Sequence, residues 1–477
     1  MATTNGNRKI LDLKRWEFCT PAPTAKVAGA FVASSRHYRQ QQLFVASNSA
    51  AWLYNPNEDG WVALPSPALA GTFGAGASGC AAGHSIGTTV GAQALTATGG
   101  TVNTIGTNQS LARDLRGYKV QILAGPNAGA TLDIVSNTIG AAATITVPTQ
   151  GAAFTASTVY RLLTPTFYVV GAGTLAAGSF RKYCFATNIW TTLANTGLPA
   201  SLGTDGKLIS TPSWMDNGYL NFGSGTATAG AAAALTQTGK TWAVNQWTNS
   251  QAQIVAGPGA GQIRTIASNT ADTLTVSPAW ATAPGAGSVY QIQANDDFIY
   301  YIGNNAVTMF RYSISANTWT TLAPGVARAG APGAGMSGHW VWGATESDWN
   351  AESTIQNGRY IYSFRGAGGA AIDRYDIAAN AWAAVTYAPA TETFGAGSTY
   401  TLIEGDIFVC KEATGRWFRF KCATNEMDGW TTQLYPHGAA LVGDTAFDAT
   451  YFDGATKIHY VYSILNTSAI TLRQMVI

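Results

Sequence analysis

The chain has 477 residues, of which 11% are charged, whereas about 25% are charged in typical soluble proteins. Its formal net charge of +2 is too small to create a strong field toward a polyanion, so we expect no specific nucleic-acid partner. No run of about 20 apolar residues is present, so the sequence predicts no membrane span.

A short pattern recurs from the N-terminus to the C-terminus: an apolar run, a second run, a polar turn and a tryptophan. Alternating apolar runs bounded by turn residues are typical of β-strands, and a repeat of this kind determines the architecture. In the clearest copy, residues 298–303 and 309–314 are the two runs, and Asn317 and Thr318 precede the tryptophan. The tryptophans of all copies, in chain order, are Trp16, Trp61, Trp190, Trp319, Trp382 and Trp430. We interpret each of them as a packing residue, because a buried tryptophan supplies a large apolar area.

Two insertions interrupt the repeat. Trp61, Trp190 and Trp319 are spaced at 129 residues, which leaves about 70 residues beyond the roughly 40 to 50 of one repeat unit. The extra segments resemble each other: residues 121–129 match residues 253–261, and residues 134–138 match residues 266–270. Alternating Val, Ile, Leu and Thr between Gly-Pro and Ser-Asn turns predict a small β barrel or sandwich in each. Both fall just before the second strand of a repeat unit, so we expect them on one face.

The two ends of the chain complete the count. Residues 457–463 and 470–476 read as the middle strands of a unit that no tryptophan follows, while Trp16 begins an outer strand that no unit precedes. We therefore predict that the segment near Trp16 pairs with the strand near Thr471–Val476. This pairing would close a ring and remove an edge strand that invites aggregation.

The repeat resembles the kelch motif, in which an apolar strand ends in glycine, a strand with a tyrosine follows, and a tryptophan begins the outer strand. Gly171, Gly303 and residues 366–369 occupy the glycine positions, whereas Asn48-Ser49 and Lys411-Glu412 replace them in the units of Trp61 and Trp430. The resemblance implies an all-β fold: a six-bladed, kelch-like β-propeller closed by the N-terminal strand. The two homologous β modules are insertions into it.

These readings divide the chain into five segments. Residues 1–90 hold the closing strand, the first blade and the start of the second; residues 91–165 are the first inserted module. Residues 166–224 return to the propeller, residues 225–294 are the second module, and residues 295–477 complete the propeller. Tyr118, Trp242 and Trp247 are candidate interface residues of the modules, since aromatic residues are enriched at interface centres; module-core packing is the alternative for each.

No catalytic, cofactor-binding or metal-binding site is predicted. The histidines show no pair at ligand spacing; they are His37, His84, His339, His437 and His459. The glycine-rich segments 74–79 and 257–261 open no predicted helix and lack the lysine of a P-loop, so we interpret both as turns. No nucleophile–base pair can be assigned. We therefore expect that the protein is not an enzyme and needs no cofactor.

Two functions from different classes are consistent with these features. The modules, with Gly-Pro-x-Ala-Gly followed by Ser-Asn-Thr, resemble modules of tailed-bacteriophage virion proteins. That resemblance implies a structural protein of the tail, neck or nozzle, assembled in the host cytoplasm as a homo-oligomer. Its partners would be copies of itself and other virion proteins. The alternative is a carbohydrate- or receptor-binding propeller of adhesin type, with a glycosidase ancestor, in which Trp340, Trp342 and Trp349 would contact a host-surface glycan.

Overall fold

The computed structural model describes residues 16–431, 445–452, 457–464 and 471–476, with gaps at 28, 36–41, 83, 85–89, 91–93, 200–201, 204, 213, 216–217, 220, 342–357, 389–391, 404, 413 and 415. The described residues are all-β and contain no helix. They accordingly include no helix of the length and apolarity that crossing a membrane would require. The strands are short, and most pair antiparallel with strands close to them in sequence.

Five four-stranded antiparallel sheets are each built from strands in chain order. Sheet 1 contains β2 (Phe31–Ser34), β3 (Leu43–Ser47), β4 (Ala50–Asn55) and β5 (Gly60–Ala63); sheet 2 contains β6 (Ser78–Ala82), β14 (Thr166–Val170), β15 (Phe180–Cys184) and β16 (Ile189–Thr192). Sheet 3 contains β17 (Lys207–Ser210), β27 (Phe298–Ile302), β28 (Met309–Ser313) and β29 (Thr318–Thr321). Sheet 4 contains β30 (His339–Val341), β31 (Tyr360–Phe364), β32 (Ile372–Asp376) and β33 (Ala381–Val385); sheet 5 contains β34 (Thr399–Ile403), β35 (Asp406–Cys410), β36 (Trp417–Lys421) and β37 (Glu426–Thr431).

A further four-stranded sheet, which we call the terminal sheet, joins the two ends of the chain. It contains β38 (Thr445–Phe452), β39 (Lys457–Ile464), β40 (Thr471–Val476) and β1 (Trp16–Cys19). β1 pairs antiparallel with β40, and Trp16 lies opposite Gln474. The pairing expected from the surplus tryptophan at one end and the missing one at the other is therefore present.

The sheets have a β-propeller-like arrangement. Their innermost strands contact one another in the order β2, β6, β17, β30, β34 and β38, and β38 also contacts β2. Aromatic side chains fill the spaces between neighbouring sheets: Phe44 of sheet 1 stacks on Phe167 of sheet 2 with ring centroids 5.1 Å apart. Phe180 of sheet 2 meets Trp319 of sheet 3 at 5.1 Å. The apolar core is thus divided among the junctions between sheets.

The turn before the outermost strand is the same in four sheets. A residue with positive φ ends the turn, and its side chain accepts a hydrogen bond from a tyrosine hydroxyl on the third strand. The pairs are Tyr54–Asp59 at 2.5 Å, Tyr183–Asn188 at 2.6 Å, Tyr312–Asn317 at 2.6 Å and Tyr375–Asn380 at 2.7 Å. Asparagine and aspartate tolerate this left-handed conformation better than other residues with a side chain. The following tryptophan, two residues later, lies opposite the same tyrosine.

Several of these tryptophans also bond to the sheet before them. The indole Nε1 of Trp61 donates to Thr20 O at 2.9 Å, that of Trp190 donates to Pro65 O at 2.9 Å, and that of Trp319 donates to Ala194 O at 3.1 Å. Each acceptor follows the outermost strand of the neighbouring sheet. We call this combination of tyrosine, turn residue and tryptophan the blade clamp.

Sheet 5 departs from the pattern. Asn425 has the positive φ of the turn, but Phe420 replaces the tyrosine, and the residue opposite Phe420 is Met427 rather than a tryptophan. Trp430 lies further along the strand, beside a bulge between Trp417 and Phe418 in the pairing register. Trp430 therefore does not occupy the position that Trp61, Trp190, Trp319 and Trp382 share. Trp430 follows an Asp-Gly pair, as Trp61 does, which suggests that the two tryptophans are equivalent. The turn before the outermost strand of sheet 5 is made by Asn425 instead.

Each insertion forms a seven-stranded antiparallel sheet around its own core. Module 1 contains β7 (Leu95–Gly100), β8 (Thr104–Thr107), β9 (Lys119–Ala124), β10 (Thr131–Asp133), β11 (Ser136–Asn137), β12 (Thr144–Thr146) and β13 (Val159–Leu163). Module 2 contains β20 (Asn221–Thr226), β21 (Ala229–Ala231), β22 (Ala234–Thr236), β23 (Gln251–Ala256), β24 (Ile263–Asn269), β25 (Thr273–Ser277) and β26 (Val289–Gln293), preceded by the two-stranded β18 (Trp214–Met215) and β19 (Gly218–Tyr219). Module 1 interrupts sheet 2 between its first and second strands, and module 2 interrupts sheet 3 at the same place. Both modules therefore leave the sheets at the end where the innermost strands finish.

Candidate functional site

A cavity of about 510 Å³ lies among the innermost strands of the five consecutive sheets. Residues of β2, β6, β17, β30 and β34 line it, with many hydroxyl groups from serine and threonine. Its titratable side chains are Cys80, Asp205, Lys207, His339 and Tyr400. This is the space in which a propeller-like arrangement would hold a ligand.

The loops that lead into four of the innermost strands share one turn. Each is a four-residue turn whose third residue is glycine with positive φ: Gly29 (φ 82), Gly76 (φ 94), Gly335 (φ 75) and Gly397 (φ 97). In each turn the fourth residue donates its amide to the carbonyl of the first, at 2.9 to 3.1 Å. The predicted interpretation of the segment 74–79 as a turn agrees with this geometry. A Cβ added to Gly335 would lie 1.8 Å from Gly395 O, so only glycine fits where these turns meet.

Two of these side chains, Asp205 and Tyr400, are hydrogen-bonded to the backbone of Gly335. Asp205 Oδ2 lies 3.4 Å from the amide of Gly335, which donates to it. The hydroxyl of Tyr400 donates to Gly335 O at 2.8 Å, and burial raises the pKa of Tyr400 well above its usual value. Burial lowers the pKa of Lys207, against the effect of the nearby Asp205 carboxylate. Tyr400 therefore stays protonated at neutral pH and acts as a hydrogen-bond donor to the backbone.

The second polar site is buried where the two modules join the sheets. Arg161 of β13 and Asp296, which follows module 2, form an ion pair with 2.8 Å between Nη1 and Oδ2 and side chains 2% and 1% exposed. Arg161 Nε also donates to Gln121 Oε1 at 2.6 Å, and His84 Nδ1 lies 3.7 Å from Asp296 Oδ2. Burial lowers the pKa of His84 to about 4, although the Asp296 carboxylate acts in the opposite direction. His84 is therefore neutral at physiological pH, and the ion pair joins module 1 to the base of module 2.

The structure buries all three candidate interface residues in the module cores. Tyr118 packs against Phe185 of the connection after β15, with ring centroids 5.4 Å apart. Trp242 and Trp247 meet edge-to-face at 6.4 Å inside module 2. In a single chain these rings are module-core residues, as the alternative had it, and they are not presented on the surface.

The other residues singled out from the sequence are distributed through the structure. Trp319 and Trp382 are buried, Trp61 and Trp190 are half-buried, and only the backbone of Trp16 and Trp430 is described. Trp340 is buried and donates its Nε1 to Gly358 O at 2.9 Å, while Trp342, Trp349, His37 and His437 lie outside the described residues. Of the remaining histidines, His84 lies in the buried cluster and His339 lines the cavity, and only the backbone of His459 is described. In the part of the chain that is described, no three His, Cys, Asp or Glu residues are grouped as metal ligands would be.

Sequence reasoning missed the cluster of Arg161, Asp296 and His84. One signal was present: module 1 carries an arginine at the position where module 2 has Gln291, on a strand whose other residues are apolar or hydroxylic. A charged residue in a β-strand that otherwise aligns with the strand of the other module indicates a buried group of opposite charge beside it, because unpaired charges are rarely buried. The partner itself lies far along the chain and could not be identified by pattern.

Comparison with known proteins identifies no family for this chain. No protein-family description matches the chain, and no curated protein sequence matches it. A solved structure described as "Structure of YjhT" is similar over 37% of this chain and 62% of that chain, with 14% sequence identity and a TM-score of 0.24. The matched region thus spans less than two thirds of that protein. At this identity and TM-score the similarity supports no functional argument.

Proposed function

We propose that the chain is a structural component of a tailed-bacteriophage virion, in the tail, neck or nozzle, where it connects neighbouring subunits. One observation carries the proposal: two homologous modules are inserted at equivalent positions of adjacent sheets and leave the propeller-like body at the same end. Paired projections on one face of a rigid body suit a protein that contacts neighbours in an assembly. The module motifs, which resemble those of virion proteins, agree with this role.

We also propose that the body is a closed, six-bladed, kelch-like propeller. Support comes from the contact order of the innermost strands, in which β38 lies beside both β34 and β2. The register of the terminal sheet adds to it, since Trp16 lies opposite the third strand as the blade-clamp tryptophans do. In a closed propeller the only edges are the short outermost strands of the blades, which limits pairing between copies. Such a body would present its modules to neighbours without uncontrolled pairing of sheets.

The proposed role is not catalytic. The tyrosine of the central cavity is held protonated and bonded to a backbone carbonyl, and the buried histidine of the module cluster has no access to the cavity lining. The alternative role in glycan binding receives no support from Trp340, whose ring is buried and whose indole is bonded to the backbone. Stacking on a sugar requires an exposed aromatic face.

Imaging of intact particles tests the proposal. Particles that carry this chain should show it in a ring-shaped layer of the tail or neck by electron microscopy, and mass spectrometry should find it in stoichiometric amounts. Its interface with each neighbour should bury more than about 2,000 Å², as obligate interfaces do. Absence of the chain from purified particles would refute the proposal. Glycan-array binding by a monomer, or glycan hydrolysis abolished by an acidic-residue substitution, would favour the alternative.

A further inference from the structure

The two modules contact each other through equivalent residues. A Cβ added to Gly129 of module 1 would lie 2.1 Å from Val255 O of module 2, and a Cβ added to Gly261 of module 2 would lie 2.2 Å from Leu123 O of module 1. In the alignment of residues 121–129 with residues 253–261, Gly129 corresponds to Gly261 and Leu123 corresponds to Val255. The contact is therefore reciprocal, as it would be between two subunits related by a two-fold axis.

The contact involves the same sheet face in both modules. Successive side chains of a strand point to opposite faces. In β9, Val120 and Ile122 belong to the core of module 1, so Gln121 and Leu123 point away from it. In β23, Ala252 and Ile254 belong to the core of module 2, so Gln253 and Val255 point away from it. Each module thus presents the same face to the other: the face with Gln121 and Leu123 on β9, and the face with Gln253 and Val255 on β23.

This face is polar and nevertheless buried. Gln121, Gln253 and Gln293 are fully buried although they point away from their own module cores. Gln121 Nε2 and both amide atoms of Gln253 have no hydrogen-bond partner among the described residues. Arg161 lies opposite Gln121 in the register of β13 and β9, and it reaches Asp296 at the base of module 2. We call this layer between the modules the module seam.

We propose that this face of the module is a self-recognition surface, whose partner is a second module of the same type. In this chain the two copies pack against each other through this face. Two features carry the proposal: the reciprocal glycine contacts and the equivalent faces. An isologous contact uses the same patch on both partners, which is what a duplicated self-pairing module would retain. The proposal does not depend on the virion role.

The distance between the modules in the full chain tests the proposal. Spin labels are attached through Ile139→Cys in module 1 and Val244→Cys in module 2, at positions 66% and 72% exposed, while the five native cysteines are buried. Gly129→Ala and Gly261→Ala place a methyl group against the opposing backbone. Gly140→Ala and Gly239→Ala are matched controls, because both glycines have positive φ but no atom within 4 Å of the added Cβ. Pulsed electron resonance then gives the distance distribution for each variant.

We expect one narrow distance distribution in the parent and in both controls. Gly129→Ala and Gly261→Ala should each give a longer mean distance and a wider distribution. If a contact variant fails to fold while its control folds, the proposal is also supported, because both add a methyl group at a positive φ and only the contact variant brings it against the other module. The proposal is overturned if the contact variants fold and keep the parent distribution, or if each control changes it as much as its contact variant does.

Discussion

Two kinds of junction join repeated units in this molecule, and they are built differently. Neighbouring sheets meet through stacked aromatic rings, such as Phe180 against Trp319, and through indole hydrogen bonds of the blade clamp. The two modules meet through glycines, buried glutamines and one ion pair. Apolar burial is favourable wherever surface is removed from water, whereas a buried polar contact is favourable only if its partners are aligned.

This difference assigns different roles to the two junctions. Aromatic packing buries apolar area between neighbouring sheets, which stabilises the propeller-like body without requiring the alignment of polar groups. The module seam depends on geometry, because the Arg161–Asp296 pair and the glycine contacts fit only one arrangement. The propeller-like body is thus stabilised by buried apolar area, and the contact between the modules by the alignment of polar groups. The following experiments, ordered by expected effect, test that division.

Removal of residues 1–24 should have the largest effect. It deletes β1, leaves β40 as an unpaired edge, and removes the carbonyl of Thr20 that accepts from Trp61. We expect the melting temperature to fall by on the order of 10 °C, since each kcal/mol shifts a large domain by about 2–4 °C. Differential scanning calorimetry measures it. Removal of residues 1–15 alone is the control, because β1 remains; an unchanged melting temperature on deleting 1–24 would contradict closure by this strand.

Arg161→Met should be the most damaging single substitution in the module seam. It removes the guanidinium that pairs with the buried Asp296 carboxylate, and breaking a buried pair in this way costs about 3–5 kcal/mol in comparable sites. Urea denaturation measures the free energy of unfolding. Gln291→Met is the matched control, because Gln291 aligns with Arg161 and lies opposite Gln253 as Arg161 lies opposite Gln121.

The double variant Arg161→Met/Asp296→Leu separates alignment from burial. With both charges removed, neither member of the pair is left buried without the other, and most of the lost stability should return. A double variant less stable than Arg161→Met would show that the pair is not the source of the effect.

Acidification should weaken the same site through His84. Burial lowers its pKa from 6.5 to about 4 in the folded chain, so the unfolded chain binds the proton first as pH falls. The stabilisation is complete above pH 6.5 and is lost as pH falls toward 4, by up to about 3 kcal/mol. The measurement compares unfolding free energies of the parent and His84→Gln between pH 7 and pH 4. Equal pH dependence in both proteins would exclude His84 as the cause.

Tyr312→Phe should have the smallest effect, because the body does not depend on any one polar bond. It removes the hydroxyl that donates to Asn317, which should cost about 1 kcal/mol. Tyr360→Phe is the control: Tyr360 is a buried ring of sheet 4, outside the turn that bonds the blade-clamp hydroxyls.

Sheet 5 offers the converse experiment. Asn425 Oδ1 is buried and has no hydrogen-bond partner among the described residues, and Phe420 stands where the other sheets have the tyrosine. Phe420→Tyr should therefore add the missing bond and raise the unfolding free energy by about 1 kcal/mol. Destabilisation by Phe420→Tyr would show that the packing of sheet 5 leaves no room for the added hydroxyl group.

The sequence was sufficient for features that depend on local pattern. Period-2 strands, the spacing of Trp61, Trp190 and Trp319, and the duplicated segments predicted the all-β fold and the position of the insertions. The pairing of Trp16 with the last strand followed from counting strands. The equivalence of Trp430 with Trp61 was suggested by their shared Asp-Gly-Trp sequence, but the turn in sheet 5 is made by Asn425, three residues before Asp428. The ion pair and the module seam were not predictable, since they depend on how distant segments are oriented in space.

The pairing of β1 with β40 has a consequence for the order of events during synthesis. Among the described residues, β1 pairs only with β40, which is synthesised roughly 450 residues later. At typical elongation rates of about 5–20 residues per second, β1 waits on the order of a minute for that partner. Until then every intermediate has unpaired sheet edges. Nascent chains on the same mRNA are close together, so they are the copies most able to pair through these edges. We expect chaperone dependence to last until β40 has been synthesised and has paired with β1.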